Sequence, residues 1–361
     1  MSAPRLEIDL DMVGHNARVL VERLGTSGIA VTGVTKAALG LPALATTLLA
    51  AGVSALGDSR VENLEGLRAA GITAPMMLIR SPMTSQASRV VAVADVSCNT
   101  EGAVLAALSA AAVAAGRTHG IVLMVELGDR REGIMPGELR ATARQVLTLA
   151  NLELVGLGTN LACQCGVVPD ERNMAELSAL ADSIEAELGL RLEIVSGGNS
   201  ANLGWALGGA DIRRINQLRL GESILLGRDP LDRGAIDGLH TNAFTLVGEV
   251  IEAKVKPSAS RGTTARTAFG PRAPRLDRGT IAQVIVALGE QDTDPTGLEP
   301  PVGLTVLGAS SDHPVLDAGH HRLAAGDEII FGLDYSALVR AMTSPFVSRL
   351  LHQATVADAS V

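Results

Sequence analysis

Short apolar, β-branched runs alternate with longer Ala- and Leu-rich stretches through the first part of the chain. The runs are apolar at almost every position, as expected of strands that are buried on both faces of a parallel sheet. They cover residues 29–36, 53–59, 76–81, 93–99, 121–128, 152–160, 192–199 and 215–223. Helical stretches such as LPALATTLLAAG and ERNMAELSALADSIEAELG separate most of them. Eight alternating units of strand and helix predict an α/β fold, a closed (β/α)8 barrel.

The pattern changes after residue 235. Segments such as TLVGEVIEAKVK, GTIAQVIVALG and DEIIFGLD are strand-like, and Gly and Pro lie between them with few helical stretches. This pattern is typical of an antiparallel sheet. We therefore predict that residues 1–235 form the barrel and that residues 236–361 form a second, mostly antiparallel β domain.

Composition limits the classes of function. Thirty Lys and Arg against 39 Asp and Glu give a net charge of −9, which disfavours nucleic-acid binding and is typical of enzymes that act on small molecules. Aromatic residues make up only 2%, and Tyr335 is the single tyrosine, so the core must consist of Ala, Leu, Val and Ile. The three cysteines suggest reduced thiols, and no histidine or cysteine spacing predicts a metal site.

Neither a signal peptide nor a membrane span is expected. The opening segment MSAPRLEIDLD has no basic region followed by an apolar stretch. Residues 37–57 carry no charge over a length that reaches across a bilayer, but Gly40, Pro42 and Gly52 interrupt them. We interpret this stretch as a helix followed by a buried strand, and we expect a cytoplasmic protein.

Polar residues are concentrated at the carboxyl ends of the predicted strands. In a (β/α)8 barrel those ends form the rim on which active sites are built. The residues concerned are Lys36, Asp58, Ser59, Arg80, Asn99, Asp129, Arg131, Asn160, Ser196, Asn199, Ser200 and Arg219. Helix capping is the alternative for any single Ser, Asn or Asp. Capping does not explain Lys36, Arg131 or Arg219.

Three of these positions together predict a cofactor. Lys36 ends the run VTGVTK, where an amine beside apolar neighbours acquires the lowered pKa that Schiff-base chemistry needs, although a surface lysine is the alternative. The Gly-rich turn SGGNSA (196–201) and the segment LRLGES (218–223) offer hydroxyl and backbone N–H groups for a phosphate. A lysine with a phosphate cradle favours pyridoxal phosphate.

The order of the motifs resembles the fold-type III pyridoxal phosphate enzymes, the alanine racemase superfamily. The resemblance covers nearly the whole chain and includes LEIDLDMVGHNARVL, GVTKAALG, GDRREGIMP, GLGTNLA, SGGNSA and LRLGES. Within that superfamily, GDSRVENL, GTNLACQCGVVPDERN, VSGGNSANL, LGASSDH and LDYSALVRAMTS are more similar to the ornithine racemase type.

The resemblance implies roles for particular residues. Lys36 would bind pyridoxal phosphate covalently and exchange the Cα proton on one face of the substrate. Arg219 would meet the pyridine nitrogen, and Arg131 would lie near the ring oxygen and the substrate carboxylate. The remaining positions that match the cofactor pocket are Asn160, Asn199, Ser200, Gly221, Glu222 and Tyr335. The resemblance also implies a homodimer with shared active sites, in which the C-terminal β domain contributes to the partner's site.

The chain departs from alanine racemase at the second proton-transfer group. The segment TAFG places Phe269 where that family has a tyrosine, and phenylalanine cannot carry a proton. We therefore expect His313 of the SSDH segment to act on the opposite face, with Asp312 orienting it or meeting the substrate. A solvent-exposed loop histidine is the alternative. The Cys163 and Cys165 thiols are the second candidates.

The resulting hypothesis is a two-base racemase of a free basic amino acid, with ornithine favoured by resemblance alone. Asp129, Glu132 or Asp312 would meet the side-chain ammonium, unless they pair with Arg130 or Arg131. The alternatives are a broad-specificity, alanine or serine racemase, an eliminating enzyme of the same superfamily, or a non-catalytic pyridoxal phosphate-binding protein. Known non-catalytic binding proteins of this kind are single barrels without a second domain, so the predicted second domain argues against that alternative.

Overall fold

A computed structural model describes residues 2–263, 265–266, 269 and 277–353. The chain divides into two compact units. One contains Met12–Thr241, and the other combines Met1–Asp11 with Asn242–Val361.

The first part of the chain alternates strands and helices. It begins with strand β1 (Arg5–Asp9) and helix α1 (Leu10–Gly25). The strands that follow are β2 (Ala30–Val34), β3 (Ala55–Asp58), β4 (Met76–Leu78), β5 (Val96–Asn99), β6 (His119–Met124), β7 (Leu152–Gly158), β8 (Ile194–Gly198) and β9 (Gln217–Leu220). The helices between and after them are α2 (Pro42–Ala50), α3 (Val61–Ala69), α4 (Ala87–Val93), α5 (Gly102–Ala115), α6 (Leu139–Thr148), α7 (Glu171–Leu188), α8 (Leu203–Leu207) and α9 (Glu222–Leu226).

Strands β2 to β9 form a closed parallel barrel, which confirms the predicted fold class. Closure joins β2 to β9, and Thr32 lies opposite Arg219 in that pairing. Each observed strand overlaps one of the eight apolar runs, because a strand covered on both faces must be apolar throughout. The uncharged stretch of residues 37–57 supplies α2 and β3, and Pro42 occupies the first turn of that helix, where its missing N–H costs nothing.

The second unit is built on a mostly antiparallel sheet. Its elements are β10 (Phe244–Pro257), β11 (Thr280–Val286), β12 (Leu298–Glu299), β13 (Thr305–Ala309), β14 (Pro314–Asp317), β15 (Glu328–Leu333), helix α10 (Tyr335–Thr343) and β16 (Ser348–His352). The strand order is β12-β15-β10-β11-β14-β13, with β1 paired to β10 and to β16. Among the described residues, the pairing of β1 with β16 is parallel and the other pairings in this sheet are antiparallel.

The division of the chain differs from the predicted one at the N-terminus. Strand β1 was expected in the barrel domain of residues 1–235, but it pairs with β10, where Leu6 lies opposite Leu246. The physical reason is its alternating pattern, in which Leu6 and Ile8 are buried while their neighbours are half-exposed. Such a strand fits a sheet covered on one face rather than a barrel strand covered on both. The chain leaves the barrel unit after Thr241 instead of after residue 235.

Within the described part of the chain, no helix is both long enough and apolar enough to cross a membrane.

Candidate active site

Lys36 lies in a tight turn at the end of the first barrel strand. Strand β2 ends at Val34, and a 3₁₀ turn begins at Lys36 and runs to Ala38. Leu39 and Gly40 then take left-handed conformations, with φ of 54° and 63°. A Cβ on Gly40 would lie 2.8 Å from the Cβ of Asn63 at the start of α3, so glycine is required by both conformation and space. The Lys36 turn is therefore packed against α3.

The Lys36 amine has a lowered pKa. The side chain is accessible to solvent, yet the protein around it displaces enough water to disfavour the ammonium form, and this desolvation is the largest cause. Nearby Arg131 and Arg219 lower the pKa further, while Cys163 and Asp58 act to raise it. A larger share of neutral amine results, and the neutral amine is the nucleophilic form.

Arg219 is a buried cation on the last barrel strand. It is 4% exposed, and its guanidinium donates to Ser196 Oγ and, at 2.7 Å, to the Thr159 carbonyl oxygen. No carboxylate of the described residues lies within ion-pair distance of it. Burial lowers the pKa of the guanidinium, but arginine starts high enough to remain charged. A buried cation held only by neutral acceptors is costly, which favours a ligand atom that accepts from it.

A cluster of hydrogen-bond donors lies between the ends of β8 and β9. Ser200 Oγ accepts from the Ser223 backbone N–H at 3.2 Å, from the Gly221 N–H at 3.4 Å and from the Ser223 hydroxyl at 3.0 Å. A hydroxyl oxygen surrounded by three donors marks a place that suits a phosphate oxygen. Glu222 begins α9, and its carboxylate lies 4.0 Å from the Arg233 guanidinium. Ser223 was not recognised from the sequence, although it lies within LRLGES.

Asn199 and Asn160 are joined to each other. Asn199 caps the 3₁₀ turn that begins at Ser200, with its side-chain oxygen accepting from the Ala201 N–H at 2.8 Å. Its amide nitrogen donates to the Asn160 side-chain oxygen at 3.1 Å and to the Leu161 carbonyl at 2.9 Å. Asn199 therefore has the capping role that was the alternative prediction for it, and it also contacts Asn160 at the end of the neighbouring strand β7.

Asp129 organises the loop that follows β7. It is 1% exposed and accepts backbone N–H groups from Cys163 at 3.1 Å, Gln164 at 2.9 Å and Cys165 at 3.1 Å. Burial acts to raise the pKa of this carboxyl, but the backbone hydrogen bonds outweigh it and lower the pKa. The carboxylate is occupied by the loop.

Arg131 and the cysteines lie near this loop. Arg131 pairs with Glu132 through two contacts of 2.5 and 2.7 Å, as the alternative interpretation of Glu132 anticipated. Cys163 accepts from the Asn160 amide at 3.0 Å. Cys163 and Cys165 are exposed free thiols, and Cys98 is a buried one.

The remaining predicted residues belong to the second unit. Tyr335 begins α10, directly after Asp334, whose side chain caps that helix. Asp312 accepts from the Gln291 amide at 2.6 Å and the Ser311 hydroxyl at 2.7 Å. His313 is exposed in the turn between β13 and β14. Phe269 is 54% exposed, and the other three residues of TAFG lie outside the described residues.

The donors of the barrel fit pyridoxal phosphate. Lys36 offers an amine of lowered pKa, Arg219 offers a buried guanidinium with no carboxylate of the described residues within ion-pair distance, and Ser200 marks a cluster of N–H and hydroxyl donors. No group of three or more His, Cys, Asp or Glu side chains among the described residues is arranged to hold a metal ion. The fold and the candidate site thus define a (β/α)8-barrel protein with a lysine of lowered pKa after its first barrel strand.

Comparison with known proteins assigns the family. Residues 8–229 match the model of the alanine racemase N-terminal domain. The lysine racemase of Thermotoga maritima is 39% identical over 97% of this chain and 99% of its own, and the ornithine racemase of Acetoanaerobium sticklandii is 35% identical over 96% and 99%. The chain belongs to the alanine racemase family, which confirms the predicted family, the enzyme class and the cofactor.

Solved structures show the same fold. The alanine racemase of a D-cycloserine-producing Streptomyces lavendulae superimposes with a TM-score of 0.76, covering 98% of this chain and 99% of that one, at 22% identity.

Proposed function

We propose that the protein racemises a free basic amino acid, ornithine or lysine, with pyridoxal phosphate and with Lys36 acting on one face of the substrate. Two relatives that align over almost their whole lengths are named as racemases of these two amino acids. The observation that carries the proposal is the presence at the barrel ends of both an amine of lowered pKa, at Lys36, and a buried guanidinium, at Arg219, that has no carboxylate of the described residues within ion-pair distance.

The residues present account for a racemase in preference to other reactions of this cofactor. When bound, pyridoxal phosphate supplies an electron-withdrawing ring that stabilises negative charge at the substrate Cα. Arg219 would donate to the ring nitrogen of the bound cofactor without releasing its proton, which would leave the ring a moderate electron sink. Ser200, the backbone at Gly221 and Glu222, and Tyr335 are the proposed phosphate contacts.

Lys36 is suited to move a proton in both directions. Its lowered pKa brings the amine and ammonium forms closer in population near neutral pH, and Brønsted behaviour favours a group of that kind as acid and as base. Arg131 is proposed to meet the substrate carboxylate. For the opposite face we retain His313, oriented by Asp312, with Cys163 and Cys165 as the alternatives.

The substrate side chain needs an acidic partner. Asp129 is saturated by backbone N–H groups, so we assign this role to Glu132 or Asp312. Glu132 now pairs with Arg131, and a substrate carboxylate on Arg131 would compete with it and release it towards the substrate ammonium. We further propose a cytoplasmic homodimer in which the second unit of each chain completes the partner's active site.

The decisive test is α-proton exchange in deuterated water over all common amino acids, with optical inversion and keto-acid release measured alongside. We expect exchange and inversion for ornithine or lysine without keto acid. Keto acid would indicate elimination, equal rates for many amino acids would indicate broad specificity, and cofactor binding without exchange would indicate a non-catalytic binding protein.

Lys36→Ala tests the assignment of Lys36, and Lys254→Ala is its matched control. The chain has only three lysines, so the remaining candidates for covalent attachment are Lys254 and Lys256. We expect Lys36→Ala to abolish reducible cofactor attachment and racemisation, whereas Lys254→Ala retains both. Persistent attachment of the cofactor after reduction in the Lys36 variant would sink the assignment.

A further inference from the structure

Asp58 is a buried carboxylate that the proposed reaction does not use. It ends strand β3, is 0% exposed, and has no lysine or arginine of the described residues within ion-pair distance. Burying an unpaired charge is expensive, so such a group needs a specific reason and several hydrogen bonds.

Its hydrogen bonds lead to both ends of the Lys36 turn. Asp58 Oδ2 accepts from the hydroxyl of Thr35, the residue before Lys36, at 2.7 Å. Asp58 Oδ1 accepts from the Asn63 amide at 3.0 Å and from the Arg60 N–H at 2.9 Å. Asn63 is the residue against which Gly40 packs at the end of the same turn. One carboxylate therefore fixes the entry to the turn directly and its exit through Asn63.

The charge of Asp58 also matters for Lys36. The ionisable groups that act most on the amine include Cys163, Arg131, Asp58 and Arg219. The two arginines disfavour the ammonium form, whereas Cys163 and, to a smaller degree, Asp58 favour it. Burial raises the pKa of Asp58, while its hydrogen bonds from Thr35, Arg60 and Asn63 oppose that rise.

We propose that Asp58 is a positioning residue for Lys36, whose carboxylate holds the turn through Thr35 and Asn63 and whose negative charge, together with Cys163, opposes the effect of Arg131 and Arg219 on the amine. The inference rests on the proposed function only in assuming that the Lys36 amine transfers a proton at the substrate Cα. Lys36 must give a proton back to Cα as well as take one, and the negative charge of Asp58 favours the ammonium form that gives it.

The scarcity of lysine makes the charge of Lys36 directly measurable. Reductive ¹³C-methylation of the full chain, stripped of cofactor, should give signals from the three lysines and the α-amino group. Lys254 and Lys256 both contact Glu252 in the other unit and serve as internal references. The Lys36 signal is identified by its loss in Lys36→Ala.

Two isosteric variants separate the charge from the hydrogen bond. Asp58→Asn removes the charge and keeps one acceptor oxygen for Asn63 and Arg60, while its new NH2 group can donate to the Thr35 hydroxyl, so the titration midpoint of Lys36 should fall by about one pH unit. Thr35→Val removes one hydrogen bond and keeps the charge, so the midpoint should move far less, while cofactor dissociates faster because the turn is looser. The reference lysines should not move in either variant.

Several results would overturn the inference. An unchanged Lys36 midpoint in Asp58→Asn refutes the charge role, and so does an equal shift in Thr35→Val. If Asp58→Asn does not fold, the unmodified sequence gives the test, because the Lys36 signal should show a second inflection as Asp58 takes up its proton in acid. Absence of that inflection would refute the coupling. The titration requires no turnover, so its outcome is independent of whether the protein racemises ornithine, lysine or neither.

Discussion

Replacing Gly40 by alanine should damage the Lys36 turn by a predictable amount, and Gly189 supplies the matched control. Both glycines are left-handed, with φ of 63° and 64°. A Cβ at Gly189 meets nothing within 4 Å, whereas a Cβ at Gly40 meets Asn63 Cβ at 2.8 Å and the Asn63 Cα and backbone oxygen at 3.1 Å. The two variants share the conformational penalty and differ only in the collision.

The magnitudes follow from those contacts. A left-handed alanine costs about 1 kcal/mol, which is the whole effect expected of Gly189→Ala. At Gly40 the obstructing atoms include backbone, so α3 must shift, and displacing Asn63 weakens its 3.0 Å hydrogen bond to Asp58. Overpacking and a weakened bond to a charged acceptor add about 2 to 3 kcal/mol. Gly40→Ala should therefore destabilise the barrel by about 3 to 4 kcal/mol.

The assay is urea unfolding followed by the fluorescence of Trp205, the single tryptophan, which lies in α8 of the barrel unit. The affinity for pyridoxal phosphate gives a second reading, which should weaken in Gly40→Ala and not in Gly189→Ala. Equal destabilisation of the two variants would mean that Asn63 yields at little cost. The turn would then not be clamped by α3, and Asp58 would not hold the end of the turn through Asn63.

Two further predictions concern buried groups. His119 is 1% exposed, bonded to Ser97 Oγ at 2.7 Å, and burial lowers its pKa to about 4. The unfolded chain therefore binds a proton that the folded chain refuses, and stability should fall by about 3 kcal/mol as the pH drops from 6.5 to 4, a loss that His119→Gln should remove in urea titrations. Asp129→Ala should speed hydrogen exchange at the amides of residues 163–165, which it now binds; unchanged exchange would contradict its role in the loop.

The barrel was predictable because its strands are unusually uniform. A strand covered on both faces must be apolar at every position, and that signal survives in a single sequence. The prediction placed strand β1 in the barrel domain because β1 precedes the barrel strands in the chain, and its polar–apolar pattern was not considered. Its alternation of Leu6 and Ile8 with polar neighbours already indicated a sheet covered on one face.

The site was predictable to the extent that residue type alone specifies the chemistry. A lysine and an arginine at the ends of apolar strands cannot be explained by capping, and the structure places both at the barrel ends with shifted pKa values. The role of Asp129 was not predictable, because its partners are backbone N–H groups of a loop 34 to 36 residues away, and backbone groups leave no mark on the sequence. The contact that holds the end of the Lys36 turn was not predictable either, since Gly40 indicates a turn in the sequence but not its contact with Asn63.

The two buried aspartates of the barrel carry opposite pKa shifts, and the difference explains why only one of them is suited to act on Lys36. Asp129 receives hydrogen bonds from several backbone N–H groups, which outweigh its desolvation and keep it ionised. In Asp58 desolvation wins, because the protein displaces more water around this carboxyl than around Asp129, and its hydrogen bonds do not offset that loss. The negative charge of Asp129 stabilises the backbone N–H groups of the loop that it holds. Asp58 has no lysine or arginine of the described residues within ion-pair distance, and it is bonded to the residue beside Lys36, so we expect a change in its protonation to be felt by the amine.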